Sequence, residues 1–314
     1  MEKSNKKLNF LPFYVGETTL LNSIKKLFTL WACWLTVSVN AVDSKVSQHL
    51  QEVSVTIKSG GSQGSGVIFT REDKDGSKIN LVWTAAHVID NLRREREIIT
   101  PNGIKRIMVE FDDPKIVKVL IEDGRTIGQL ELHCQVIKYS DSRYGHDLAL
   151  LMVRKKNFIK EGVVFYLEDK IPELGTEVIH VGSLLGVDGA NSLTTGVLSQ
   201  RGRLIGKMVF DQFSCPAFPG SSGGIVANEH GQYLSMLVRG AGETFVLGIP
   251  IRRIKEWCKK ESLEWAIDST KSMPNLEEIE NIPIEDKAKI LSTGDAKELK
   301  TIPTLIKKAN GIVD

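Results

Sequence analysis

KMVFDQFSCPAFPGSSGGIV, residues 207–226, is the most informative stretch of this chain. It opens on KMVFDQF, whose alternation predicts a β-strand. The proline-containing segment CPAFPG ends that strand, and PGSSGG at 219–224 leads directly into apolar GIV. Nucleophilic chemistry wants a hydroxyl on a tight, exposed turn beside backbone N–H groups free to bind an oxyanion. Glycines on both sides let the chain turn and let a substrate approach closely. Ser222 is therefore a candidate nucleophile. Gly-Ser loops are also common as plain turns, so this one gains weight only from its company.

Working outward, the region from about 53 to 251 reads as many short strands. VSVTI, GSGVIFT, KINLVWT, IMVEF, KIVKVLIED, TIGQLELHCQVIKY, LALLMV, TEVIHVG and TTGVLSQ precede the stretch quoted above. Glycine and aspartate turns separate them at short intervals, which argues for barrels or a sandwich rather than βαβ units. In RRIKEWCKKESLEWAI the spacing of Ile254, Trp257, Cys258, Leu263 and Trp265 predicts a closing helix from 252 to about 266. Beyond Asp268 the composition turns polar and proline-bearing. Residues 268–314 read as a tail, partly disordered, with room for one short helix.

Two further sites belong with Ser222. His87 lies in TAAHVI (84–89), after the apolar strand INLVW and beside small Ala85 and Ala86. Asp147 lies in GHDLALLMV (145–153), immediately before an apolar strand, where a half-buried carboxylate needs a partner. Taken alone, each is more often structural than catalytic, and His146 is a rival for the role of Asp147. Together they stand in the order His, Asp, Ser, each at a strand edge.

On these motifs the chain resembles the trypsin-like peptidases of the chymotrypsin clan, nearest in style to HtrA-type and related bacterial proteases. The resemblance spans about 50–262 and rests on GSGVI with TAAHVI, DLALL at 147–151, TTGVLSQRGR at 194–203, FPGSSGG at 218–224 and LGIPIRRI at 247–254. It implies an all-β fold of two six-stranded antiparallel barrels, with the active site between them and a closing C-terminal helix. It implies a serine endopeptidase with Ser222 as nucleophile, His87 as general base and Asp147 as orienting acid. The N–H groups of Gly220 and Ser222 would form the oxyanion hole. Ser221 stands where digestive members carry the aspartate that captures a new N-terminus, so that activation switch is not expected. The substrate pocket would be lined by Pro216, Leu237 and Arg239. Pro216 argues against a basic P1 residue and Leu237 against an acidic one, leaving an apolar P1. No metal or cofactor is implied, and the partners are polypeptide substrates. The stretch after Asp268 is too short for the PDZ domain that HtrA-type proteases usually carry.

Other readings fare less well. G-x-S-x-G at 220–224 also suits an α/β-hydrolase, but that fold needs its acid and then its histidine after the serine. His230 follows too closely to allow it. A catalytically silent fold acting as a binding module or chaperone is the alternative that the intact His, Asp and Ser weigh against.

Composition sets outer bounds. The 314 residues are 41% hydrophobic and 25% charged, with a formal net charge of +2, so nothing points to nucleic acid. Lys25 and Lys26 precede an uncharged run at 27–42, LFTLWACWLTVSVNAV. A basic flank, a short apolar core and small residues at its end fit a secretory signal, or an uncleaved membrane tether. Residues 1–42 are read so, 43–267 as the protease domain, and the location as secreted or periplasmic. Cys33 would leave with a signal. Cys134, Cys215 and Cys258 are best read as buried free thiols, with one disulfide among them as the alternative.

Overall fold

The computed structural model describes residues 42–285, apart from 100, 102, 104 and 241–243. The signal or anchor segment therefore lies outside the described residues save Val42, as does the tail beyond 285. Among the described residues no helix is long and apolar enough to cross a membrane.

The first sheet begins with a meander of β1 (Ser54–Ser59), β2 (Ser62–Glu72) and β3 (Lys78–Thr84). Its turns follow from their residues. Gly60 takes φ +58° and Gly76 φ +81°, while the Asp75 carboxylate accepts from Ser77 N at 2.8 Å. Strands β6 (Lys115–Glu122), β7 (Arg125–Ser140) and β8 (Leu148–Val153) complete a closed six-stranded barrel in the order β1-β2-β3-β8-β7-β6. β6 meets β1 through pairs such as Thr56↔Val117. β8 is buried at every position, which explains why LALLMV is a continuous apolar run.

The hairpin of β4 (Arg93–Ile99) and β5 (Lys105–Phe111) stands apart as a two-stranded sheet. β4 is absent from the sequence reading because RRERE is charged. Its strand state rests on a full ladder with β5, with Arg96 paired to Glu110 at 2.8 Å across it.

The second sheet departs from expectation. Antiparallel strands β10 (Glu177–Gly182), β11 (Ser192–Ile205), β12 (Met208–Phe213), β15 (Val246–Pro250), β14 (Gln232–Gly240) and β13 (Ile225–Ala227) form a ring closed by the β13–β14 pairing. A seventh strand, β9 (Val164–Phe165), adds parallel to β14. The second sheet is thus a ring of six antiparallel strands, with β9 as a seventh, parallel strand beyond those the resemblance implied. Two residues, one of them Val164 and exposed, are too few to show a period. Phe213, Cys215, Val226, Leu237 and Val246 form part of its core.

Among the described residues four α-helices accompany the sheets: α1 (Ser44–Val53), α2 (Ala86–Ile89), α3 (Ile251–Glu261) and α4 (Leu276–Glu280). α3 is the expected closing helix, followed by a 3-10 turn over Glu264–Ala266. It buries Ile251, Ile254, Trp257 and Cys258 on one stripe. Trp83 of β3 ties the halves together: its Nε1 donates to Ala266 O at 2.9 Å, and its ring lies 5.9 Å from Trp257. Cys134, Cys215 and Cys258 are free and buried, and burial pushes the Cys215 thiol up to about 12.

Residues 268–285, polar by composition, run back across the first barrel. Arg71 donates to the carbonyls of Trp265, Asp268 and Lys271, each at 2.6 Å, and α4 buries Ile279. Farther on, Tyr139 N donates to Ile284 O at 2.7 Å, and Lys138 Nζ to Pro283 O at 2.9 Å. Lys138 also pairs with Glu261, at the end of α3, at 2.9 Å, with side chains only 4% and 9% exposed. Removing one member of a buried ion pair leaves the other uncompensated. Glu261→Ala should therefore cost about 3–5 kcal/mol in denaturant unfolding. A loss below about 1 kcal/mol would show that the pair behaves as a surface one.

Candidate active site

β3 ends at Thr84, and the chain passes through extended Ala85 (φ −76°, ψ 141°) into α2. Ala85 and Ala86 are fully buried, so larger side chains could not be seated there. This places His87 at the barrel rim. Its Nδ1 lies 3.0 Å from both carboxylate oxygens of Asp147, and its backbone N donates to Asp147 Oδ1 at 3.1 Å. A carboxylate only accepts, so Nδ1 carries the proton and Nε2 keeps its lone pair.

Asp147 is buried and precedes β8 with φ +58°, a left-handed conformation that aspartate tolerates better than most residues. The turn behind it is tight. Gly145 N donates to Asp141 O at 2.9 Å, and a Cβ on Gly145 would come within 2.8 Å of the Asp141 backbone. His146 takes no part in the pair with His87: its carbonyl accepts from Arg253 Nη2 at 2.6 Å, and its ring stands 6.5 Å from Trp257.

Charges surround the pair. Asp90, one residue beyond α2, accepts from Tyr139 Oη at 2.6 Å and Ser142 Oγ at 2.8 Å, and burial raises its carboxyl. Buried Arg253, on α3, lies over the Phe210 ring at 4.9 Å and is lowered to about 10 by burial. For His87, burial opposes the charged form most strongly, with Arg239 adding to it. The charge and hydrogen bond of Asp147, aided by Asp90, outweigh them and raise the imidazole above its ordinary 6.5.

Ser222 sits half-buried on the turn between β12 and β13. Backbone bonds fasten this turn on several sides: Ser65 N donates to Ser222 O at 2.7 Å, Gly223 N to Leu237 O at 2.7 Å, and Leu185 N to Pro219 O at 2.7 Å. Ser65 Oγ donates to Gly220 O at 2.7 Å and accepts from Ser183 N at 2.8 Å. Ser221, Gly223 and Gly224 all spend their N–H groups within the protein. Among the described residues, the N–H groups of Gly220 and Ser222 have no acceptor. The turn therefore presents two free donors beside one hydroxyl. That hydroxyl donates to Val238 O at 3.3 Å, and no hydrogen bond joins it to His87.

The three residues expected to line the substrate pocket differ in their surroundings. Pro216 is half-buried, its carbonyl accepting from Thr194 Oγ1 at 2.9 Å. Leu237 is 2% exposed within the apolar core of the second sheet. Arg239 is half-buried with its guanidinium 5.5 Å from the Phe210 ring centre. Ser65, Asp90 and Arg253 belong to this neighbourhood but were not singled out from sequence. Ser65, inside GSGVI, was the one within reach. Among the described residues no group of three or more histidine, cysteine or acidic side chains could hold a metal ion.

The turn tolerates little change. Gly223 has φ +88°, and a Cβ there would meet Ser65 O at 2.1 Å and Thr84 Oγ1 at 2.4 Å. Gly223→Ala should cost at least about 1–2 kcal/mol from the left-handed conformation alone, read as a lowered denaturation midpoint. An unchanged midpoint would contradict this packing.

Comparison with known proteins follows the same lines. No curated protein matches the chain in sequence. A serine endoprotease from Yersinia pestis shares the fold at a TM-score of 0.50 and 16% identity, covering 71% of this chain and 67% of its own. The Rv3671c protease in its inactive form aligns at 0.50 and 17% identity, over 70% of this chain and 93% of its own. The HtrA-type protease AlgW, solved with a tripeptide, aligns at 0.49 and 19%, over 71% and 64%. Residues 64–236, more than half of the sequence, match the trypsin-like peptidase domain, and the chain belongs to that family.

Proposed function

We propose that this chain is a serine endopeptidase that hydrolyses peptide bonds through an acyl-enzyme on Ser222. The observation that carries the reading is the grip of Asp147 on His87 Nδ1, which leaves Nε2 as the free base on the rim. The reading requires the Ser222 hydroxyl to leave Val238 O for that nitrogen, and such contacts often tighten only with substrate bound. Oγ then attacks the scissile carbonyl while its proton passes to Nε2. The free N–H groups of Gly220 and Ser222 suit the oxygen on which charge develops. Collapse breaks the C–N bond as Nε2 returns the proton to the amine, and water releases the acyl group by the same path.

Asp147 supplies orientation and steadies the imidazolium. Pro216 and Leu237, neither charged, support an apolar residue before the cleaved bond. The basic-flanked apolar run at 27–42 supports an exported enzyme, cleaved from its signal or tethered by it.

The direct test is labelling of the purified full chain with a fluorophosphonate probe. Wild type should label and Ser222→Ala should not. No labelling of folded wild type would favour the silent binding fold instead. In turnover, Ser222→Ala and His87→Ala should each lose about a millionfold, and Asp147→Asn about ten-thousandfold through the wrong tautomer. Losses under tenfold would sink the assignment.

The pH profile gives a separate check. The base is neutral His87, so kcat/KM should rise with pH through a midpoint above 6.5. This revises the ordinary histidine midpoint that the sequence alone would suggest. Asp90→Asn removes one of the charges that raise it and should move the midpoint down. A midpoint unmoved by that variant would dismiss Asp90 as an influence.

A further inference from the structure

The chemistry above uses His87, Asp147 and Ser222 and leaves a cation beside them. Arg239 follows Val238, whose carbonyl accepts the Ser222 hydroxyl. Its strand is pinned to the nucleophile turn one step earlier, where Gly223 N donates to Leu237 O at 2.7 Å and Leu237 N to Gly224 O at 3.0 Å. The position of Arg239 relative to Ser222 is therefore fixed by backbone. Its register with β15 breaks between Leu237 and Arg239, so this end of β14 leaves the regular ladder as it passes the site.

The guanidinium has company but, among the described residues, no counter-ion. It lies 5.5 Å from the centre of Phe210, and Arg253 lies over the same ring at 4.9 Å. Several other arginines of the described region are neutralised, Arg93 by Glu285, Arg154 by Asp113 and Arg252 by Asp211. Among the described residues the Arg239 side chain makes no hydrogen bond or ion pair. The neighbouring carboxylates are spoken for, Asp147 by His87, Asp211 by Arg252, and Asp90 by Tyr139 and Ser142. Arg239 acts on His87 through space, opposing its protonation, which sets it near the reacting groups. A half-buried guanidinium that shares a ring with a second cation gains most from an anion brought by a ligand.

Resting on Ser222 as the nucleophile, we propose that Arg239 is a specificity-determining residue that binds an aspartate or glutamate side chain of the polypeptide substrate. That side chain would lie within three residues of the scissile bond, but not at P1. The P1 position is set aside because the sequence reading of Pro216 and Leu237 gives it an apolar residue. The planar guanidinium suits a carboxylate bidentately and rejects an ammonium by charge.

The test is cleavage of a peptide series by the full chain. P1 is held apolar, and Glu, Gln or Lys is placed in turn at each of the other positions within three residues of the bond. Wild type should favour Glu over Gln by about tenfold or more in kcat/KM at one position. Arg239→Gln should erase that preference, and Arg239→Glu should turn it toward Lys at the same position. Inversion is a gain that a misfolded variant could not show. Equal cleavage of Glu and Gln peptides by wild type, or a preference for Glu that survives in Arg239→Glu, would overturn the inference while leaving the peptidase reading intact. Absence of any cleavage together with absence of Ser222 labelling would remove both.

Discussion

Ser65 is the residue on which the site depends. It belongs to β2 of the first barrel and is fully buried, yet two of its polar groups make three bonds toward the second sheet. Its N–H holds the carbonyl of Ser222, and its hydroxyl holds the carbonyl of Gly220 and accepts from Ser183. Its own carbonyl accepts from Thr84 Oγ1 at 2.7 Å, at the end of the strand that carries His87. One residue therefore ties the base-bearing strand to the nucleophile-bearing turn. His87 and Asp147 stand on one sheet and Ser222 on the other. A shift of the two sheets of about an ångström would spoil proton transfer long before it unfolded either one.

Much of this was legible. KINLVWT and LALLMV coincide with β3 and β8 because their apolar content is set by burial in the barrel. Asp147 outranked His146 for a physical reason, since a carboxylate entering a buried strand needs a partner and the imidazole of His87 is that partner. The three thiols lie free, as their spacing suggested. The misses have causes. β4 hides behind charges that only its cross-strand partners explain, and β9 is too short to carry a pattern. The role of Ser65 is invisible because its partners across the cleft are 118 to 157 residues away and are backbone atoms.

The stretch after Asp268 teaches the same lesson from the other side. Its polarity led to a reading as tail, but its first part is secured by carbonyl groups, which composition does not register. Arg71 and Lys138, both buried, are the side chains that collect those carbonyls. Lys138 thereby joins β7, the end of α3 and the returning segment at one charge. Tyr139 beside it reaches Asp90, so the returning segment lies one residue from the network around His87.

The three free cysteines also say something about how the halves are joined. No disulfide links the sheets among the described residues, so their alignment is an equilibrium property that thiol reagents and cellular redox state cannot lock. Cys134 lies on β7, Cys215 just past β12, and Cys258 on α3, each sealed from solvent. Each sulfur becomes chemically visible only when its own part of the protein opens. The chain thus carries three separate reporters of local opening, one for each piece that must stay closed for the site to hold its shape.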